Sequence, residues 1–272
     1  MQNLIRLSFV KLLLFFYVVF CLSKENRIVS LTPSITESLY ILGEKENVVG
    51  ITTFCRRISK KQKVVGTYLE VNVEEIVKLR PDIVFVSKEG FKKEAVDKLM
   101  MLGINVVVLD PVNSYDELKK QFLTIAKNLD KEKIAEKIIK EYERKIDKIK
   151  RSNKILGKKV LCVLSTQPIF VASEKSYIGE IIKYTGAENV IKSDIRYPQV
   201  DIEEILKLKP DVIILPSMGI QEKQAKKFFL RYKEIPAIRN NKIFVLPSNI
   251  LCQPTIKNFF VAINEISKLL DE

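Results

Sequence analysis

The sequence predicts an α/β protein of two similar lobes joined by a single long helix. Three observations carry this: an internal duplication, a helix-then-strand pattern within each copy, and a segment free of glycine and proline between the copies. The stretch VEEIVKLRPDIVFV at 73–86 recurs as IEEILKLKPDVIIL at 202–215, with seven of fourteen positions identical at a constant offset of 129. The same offset pairs Tyr68 with Tyr197 and Val71 with Val200. A looser echo aligns Gly43 and residues 46–49 with Gly186 and residues 188–191. Ordered self-similarity of this kind marks a repeated structural unit.

Each copy opens on adjacent acids, Glu74-Glu75 and Glu203-Glu204, where carboxylates offset the positive end of a helix dipole. Ile76, Val77 and Leu79 supply an apolar face, and Pro81 ends the helix because its ring cannot continue one. The run that follows is apolar and largely β-branched, as a strand covered on both faces requires. Helices alternating with such strands build mostly parallel sheets. Further strands are expected at Ile28–Leu31, Val48–Thr52, Val106–Leu109, Val160–Leu164 and Ile243–Leu246. Helices fit Ser34–Leu42, Lys92–Leu102, Tyr115–Leu129, Ile178–Thr185, Lys223–Tyr232 and Ile256–Leu270. Between the lobes, Ile134, Ile138, Tyr142, Ile146 and Ile149 recur at helical spacing, with Asp130 as the expected N-cap. About 22 residues at ~1.5 Å rise make a strut of roughly 33 Å, stiffer than a Gly/Ser-rich hinge. The expected division is residues 1–23 as a leader, 24–129 and 155–272 as lobes, and 130–154 as the connecting helix.

Composition narrows the function. The net charge of +13 is spread over Lys-rich helices, with no basic stripe interleaved with aromatics, which argues against nucleic-acid binding. Histidine is absent, so an imidazole base or a His-ligated metal within this chain is excluded. No GxxxxGK[ST], GxGxxG or GxSxG motif occurs, and no catalytic residue, metal site or cofactor is assigned. The paired glutamates sit at helix starts, where capping accounts for them without a hydrolase.

Arg6 and Lys11, the apolar run 12–22 and the polar residues 23–26 have the layout of a secretory signal, retained or cleaved. Cys21 offers a lipidation position, although Phe20 stands where a small residue is wanted. Cys162 lies in an apolar run and reads as a buried small hydrophobe. Cys55 and Cys252 fall in loops of opposite halves, and whether they pair is left open by spacing alone.

The segment 27–37, RIVSLTPSITE, resembles the opening of the periplasmic cobalamin and ferric-siderophore binding proteins of ABC importers. So do the duplicated unit, Leu102-Gly103-Ile104 leading into a strand, and Tyr197-Pro198-Gln199-Val200 before the second unit. The likeness runs from about Arg27 to the C-terminus. It implies two Rossmann-like lobes on one rigid helix, with a ligand cleft between them. The implied function is extracytoplasmic capture, as a monomer, of a corrinoid, a ferric siderophore or another bulky metal chelate for an ABC importer, in the periplasm or tethered to a membrane. By the same resemblance Pro33, Phe54, Tyr68, Phe170 and Tyr197 line the cleft, and Glu74 and Glu203 dock into the permease. Tyrosine stands at 68 and 197 where the cobalamin binders carry tryptophan, and residues 249–254 lack the arginine of many siderophore binders. Arg56 and Arg57 are either contacts for an anionic group or solvated surface. The competing readings are an enzyme on a two-lobed α/β scaffold and an exported ligand sensor.

Overall fold

A computed structural model describes residues 26–67, 69–90, 93–152, 157–217 and 220–271. The expected leader 1–23, with Cys21, and the cleft candidate Tyr68 lie outside the described residues. Among the described residues no helix is long and apolar enough to cross a membrane.

The first lobe is a five-stranded parallel sheet. Its strands are β1 (Ile28–Ser30), β2 (Val48–Ile51), β3 (Lys63–Val64), β4 (Ile83–Ser87) and β5 (Val106–Leu109), in the order β3-β2-β1-β4-β5. Around it run α1 (Pro33–Ile41), α2 (Val73–Lys78), α3 (Lys93–Met101) and α4 (Tyr115–Lys127). Then α5 (Glu132–Ser152) leads to the second lobe. That lobe contains β6 (Lys159–Thr166), β7 (Ile169–Val171), α6 (Tyr177–Tyr184), β8 (Glu188–Asn189), α7 (Ile202–Leu208) and β9 (Val212–Ser217). It is completed by α8 (Ile220–Phe229), α9 (Pro236–Arg239), β10 (Ile243–Pro247), α10 (Ser248–Leu251) and α11 (Ile256–Asp271). The second sheet runs β10-β9-β6-β7, with β8 also on β6, and only β7 is antiparallel.

Alternation of side chains along each strand explains the layers. Val29, Val84 and Val86 point to the outer face of the first sheet, where Ile76 of α2 and Leu99 of α3 cover them. Ile28, Ile83 and Phe85 point the other way, into a core that also receives Val160, Cys162, Val212 and Ile214 from the second sheet. Helices α1, α4, α5, α6 and α11 fill the space between, so one helical layer serves both sheets. At its centre Tyr115 of α4 stacks on Phe259 of α11 at 4.5 Å between centroids, and Tyr184 of α6 meets Phe259 edge-on at 5.0 Å. The strut is thus backed by a continuous apolar core, which resists hinge motion more than an isolated helix would.

Within the repeat, the two copies are built alike. Asn72 Oδ1 accepts the Glu75 N–H at 3.0 Å, and Asp201 Oδ1 accepts the Glu204 N–H at 2.7 Å. The Asp82 carboxylate accepts the Arg27 N–H, and Asp211 accepts the Lys159 N–H, both at 2.9 Å. The helices are therefore capped by Asn72 and Asp201. Glu74 and Glu203 are exposed on the first turn, so N-capping does not use up their carboxylates.

Two expectations about the strut are corrected. Asp130 does not cap it: φ is 55° there, a left-handed turn residue, and the helix starts at Glu132. Ile134 faces water at 47% exposure, and Ala135 beside it is buried instead; the rest of the stripe holds, with Ile146 buried and Ile138, Tyr142 and Ile149 packed against the core.

Candidate interlobe ligand cleft

Parallel strands that end side by side leave a crevice at their C-terminal edge, where open α/β sheets receive ligands. Here both sheets contribute. Thr32 and Pro33 follow β1, Ser87 and Glu89 end or follow β4, and Pro111 and Val112 follow β5. From the second lobe come Leu164 of β6, Arg196 and Tyr197 of the β8–α7 loop, and residues 251–254 beyond β10. They enclose a cavity of ≈ 600 Å³. That volume suits a sizeable organic ligand.

Local chemistry fixes the walls. The Ser87 N–H donates to Thr32 Oγ1 at 3.2 Å, tying the β1 and β4 ends together. Buried Thr36 donates toward Ser30 Oγ at 2.8 Å and lies 3.1 Å from Cys55 Sγ, anchoring the loop that carries Phe54. The Tyr40 hydroxyl holds the same loop by donating to the Arg56 carbonyl at 2.9 Å. Phe54 itself is 70% exposed, an unusually open position for an aromatic ring.

Pro33, Phe54 and Tyr197 line this cavity. Phe170 does not: it lies half-buried on β7, bridged to Gln199. Arg56 and Arg57 also lie off its walls, each held by its own surroundings. The Arg56 guanidinium grips Glu37 through two bonds of 2.6 and 2.8 Å, and Arg57 donates to the Ser59 and Lys60 carbonyls at 3.2 and 3.0 Å. Glu74 and Glu203 stand apart from the cleft, each on the first turn of its repeat helix. Cys55 is buried, Cys252 is at the cleft wall, and both are free thiols, as is buried Cys162.

The most informative wall residue is one that sequence reasoning passed over. Arg196, from the second lobe, donates to Glu89 Oε1 at 2.6 Å and to Asn113 Oδ1 at 3.1 Å, both in the first lobe. Asn113 is positioned by its own N–H, which donates to Glu117 Oε2 at 2.7 Å. Nearby lies the buried Tyr177 hydroxyl, beside the Thr255 backbone amide and without another hydrogen-bond partner among the described residues. Desolvation pushes the Tyr197 hydroxyl up to about 12 and the Cys252 thiol up to about 11, so both stay neutral at physiological pH.

Known proteins resemble this chain in sequence and in fold. A vitamin B12-binding protein of Yersinia pestis (strain Pestoides F) is 26% identical over 221 residues, covering 80% of this chain and 79% of that protein. An uncharacterised ABC transporter substrate-binding lipoprotein of Bacillus subtilis (strain 168) is 28% identical over 231 residues, covering 81% and 72%. Among solved structures, a periplasmic haem-binding protein of Vibrio cholerae superposes with a TM-score of 0.82 at 22% identity, covering 92% of this chain and 100% of that one, a likeness of fold. Residues 28–250, from β1 into α10, match the periplasmic binding protein family, and the chain belongs to that family.

Proposed function

We propose that the chain captures a bulky metal chelate, a corrinoid first and a ferric siderophore second, in the interlobe cleft outside the cytoplasm. An ABC importer then takes the cargo. The observation that carries this reading is the ≈ 600 Å³ cavity walled from both lobes by Pro33, Phe54, Val112, Leu164 and Tyr197. Flat aromatic and apolar faces give a macrocycle large contact area at little entropic cost. The name of the Yersinia relative favours a corrinoid, and the binding-protein names of the relatives favour capture over catalysis.

In this reading Glu74 and Glu203 present one carboxylate per lobe to basic pockets of the permease, and residues 1–23 serve as export signal or anchor. Residues 24–129 and 155–272 form the lobes of a monomer, and 130–154 the connection. Titration calorimetry and absorbance titration of the full chain with cyanocobalamin, a ferric siderophore and haemin test the proposal. One-to-one binding of at least one of them is expected. Absence of binding by all three would count against it.

A further inference from the structure

The protein carries a net charge of +13, yet the described residues that line its cleft do not share that surplus. Among the described residues lining the cavity, Arg196 and Glu89 are the charged ones, and they pair with each other at 2.6 Å. The surplus lies elsewhere: Lys133, Lys137, Lys140, Arg144, Lys148 and Arg151 form an exposed stripe along α5, away from the cavity walls. Tyr197 and Cys252 add no charge at neutral pH. A strongly basic molecule thus presents its cargo with a wall in which, among the described residues, one cation faces one anion.

We propose that the Glu89–Arg196 pair makes the cleft a charge filter that takes net-neutral chelates and disfavours anionic ones. This rests on the reading of the cleft as a chelate site. An anionic group that approaches Arg196 must share the guanidinium with Glu89 and sit beside a like charge. A neutral macrocycle leaves the pair intact while it displaces water. Once a ligand covers the pair and removes its water, breaking it costs more than covering it whole, and like charges set side by side are the usual means of rejecting a wrong partner. Asn113 reinforces the arrangement, since its Oδ1 holds the same guanidinium nitrogen from the Glu89 side of the cleft. The two side chains keep 39% and 48% exposure in the unliganded protein, so salt screens the filter in part.

The test compares ligands that differ in charge and little else. Cyanocobalamin is set against its monocarboxylate, in which one side-chain amide is hydrolysed, and a neutral ferric trihydroxamate against a trianionic ferric tris-catecholate. Full-length parent and Glu89→Gln are titrated by calorimetry. The parent should prefer the neutral member of whichever pair it binds by about tenfold or more, and Glu89→Gln should shrink that ratio by about tenfold. Equal or tighter binding of the anionic member by the parent, or an unchanged ratio in Glu89→Gln, overturns the filter while leaving the chelate site standing. Failure of every ligand to bind removes the chelate reading and the filter with it. Should Glu89→Gln not fold, a salt series on the parent decides: from about 50 to about 500 mM the preference should narrow, and a preference indifferent to salt overturns the proposal.

Discussion

Arg80 and Lys209, 129 positions apart, hold the same left-handed backbone, with φ of 46° and 49°. Each follows a repeat helix and turns the chain through Pro-Asp into a buried strand. The duplication is therefore structural down to single dihedral angles. A side chain in this region costs about 1–2 kcal/mol, part of which glycine recovers after its own backbone entropy. Lys209→Gly should stabilise the protein by about 0.5–1 kcal/mol, or about 1–4 °C in Tm by calorimetry. A lower Tm would show that the Lys209 side chain outweighs the strain.

The matched caps make a second prediction. Asn72→Ala and Asp201→Ala should each cost about 1 kcal/mol in denaturant unfolding. Because they lie in different lobes, the double variant should lose close to the sum. Strong non-additivity would mean that the two repeat helices communicate.

Glu74→Ala with Glu203→Ala should abolish uptake through the importer and leave chelate affinity nearly unchanged. Single changes should be mild, since an exposed charge pair is typically worth ~0.2–1 kcal/mol. Normal transport by the double variant would remove the docking role.

In the cleft, Tyr197→Ala should weaken binding by ~1–3 kcal/mol, as for an interface anchor. Tyr197→Phe should cost little if the contact is made by the ring face. Tyr142, which packs on Phe260 at 5.7 Å between centroids, is the control. Its truncation should lower stability and leave intrinsic affinity alone. Calorimetric titration separates the outcomes, and parent-like binding by Tyr197→Ala would move the site elsewhere.

Much of the fold was legible because the repeat writes its own boundaries. Pro81 and Pro210 cannot continue a helix, and the β-branched runs after them need two covered faces. What escaped was either short or non-local. Strands β3 and β8 have two residues each, too few for a period. On α5 only Ile134 was misplaced, because the small Ala135 next to it takes the buried position, while Ile138, Tyr142, Ile146 and Ile149 pack as their spacing implied. Pro33, Phe54 and Tyr197 were named from a motif, but Arg196 was not. Nothing next to it in sequence marks a partner 107 residues away. Arg56 and Arg57 looked available for the same reason: Glu37, which holds Arg56, lies 19 positions upstream.

Closure should be small, because Tyr115, Tyr184 and Phe259 join the lobes through one core. Small-angle scattering with and without ligand should show the radius of gyration nearly constant. A change of several ångströms would contradict a shared rigid core.

Hydrogen exchange of the full chain with and without its tightest-binding chelate tests the central claim most directly. If the cargo sits between the lobes, protection should rise together in residues 32–35 and 87–89 of the first lobe and in residues 196–197 and 248–254 of the second. Protection confined to one lobe, or centred on the exposed groove of Arg144, Lys148 and Arg151, would contradict it.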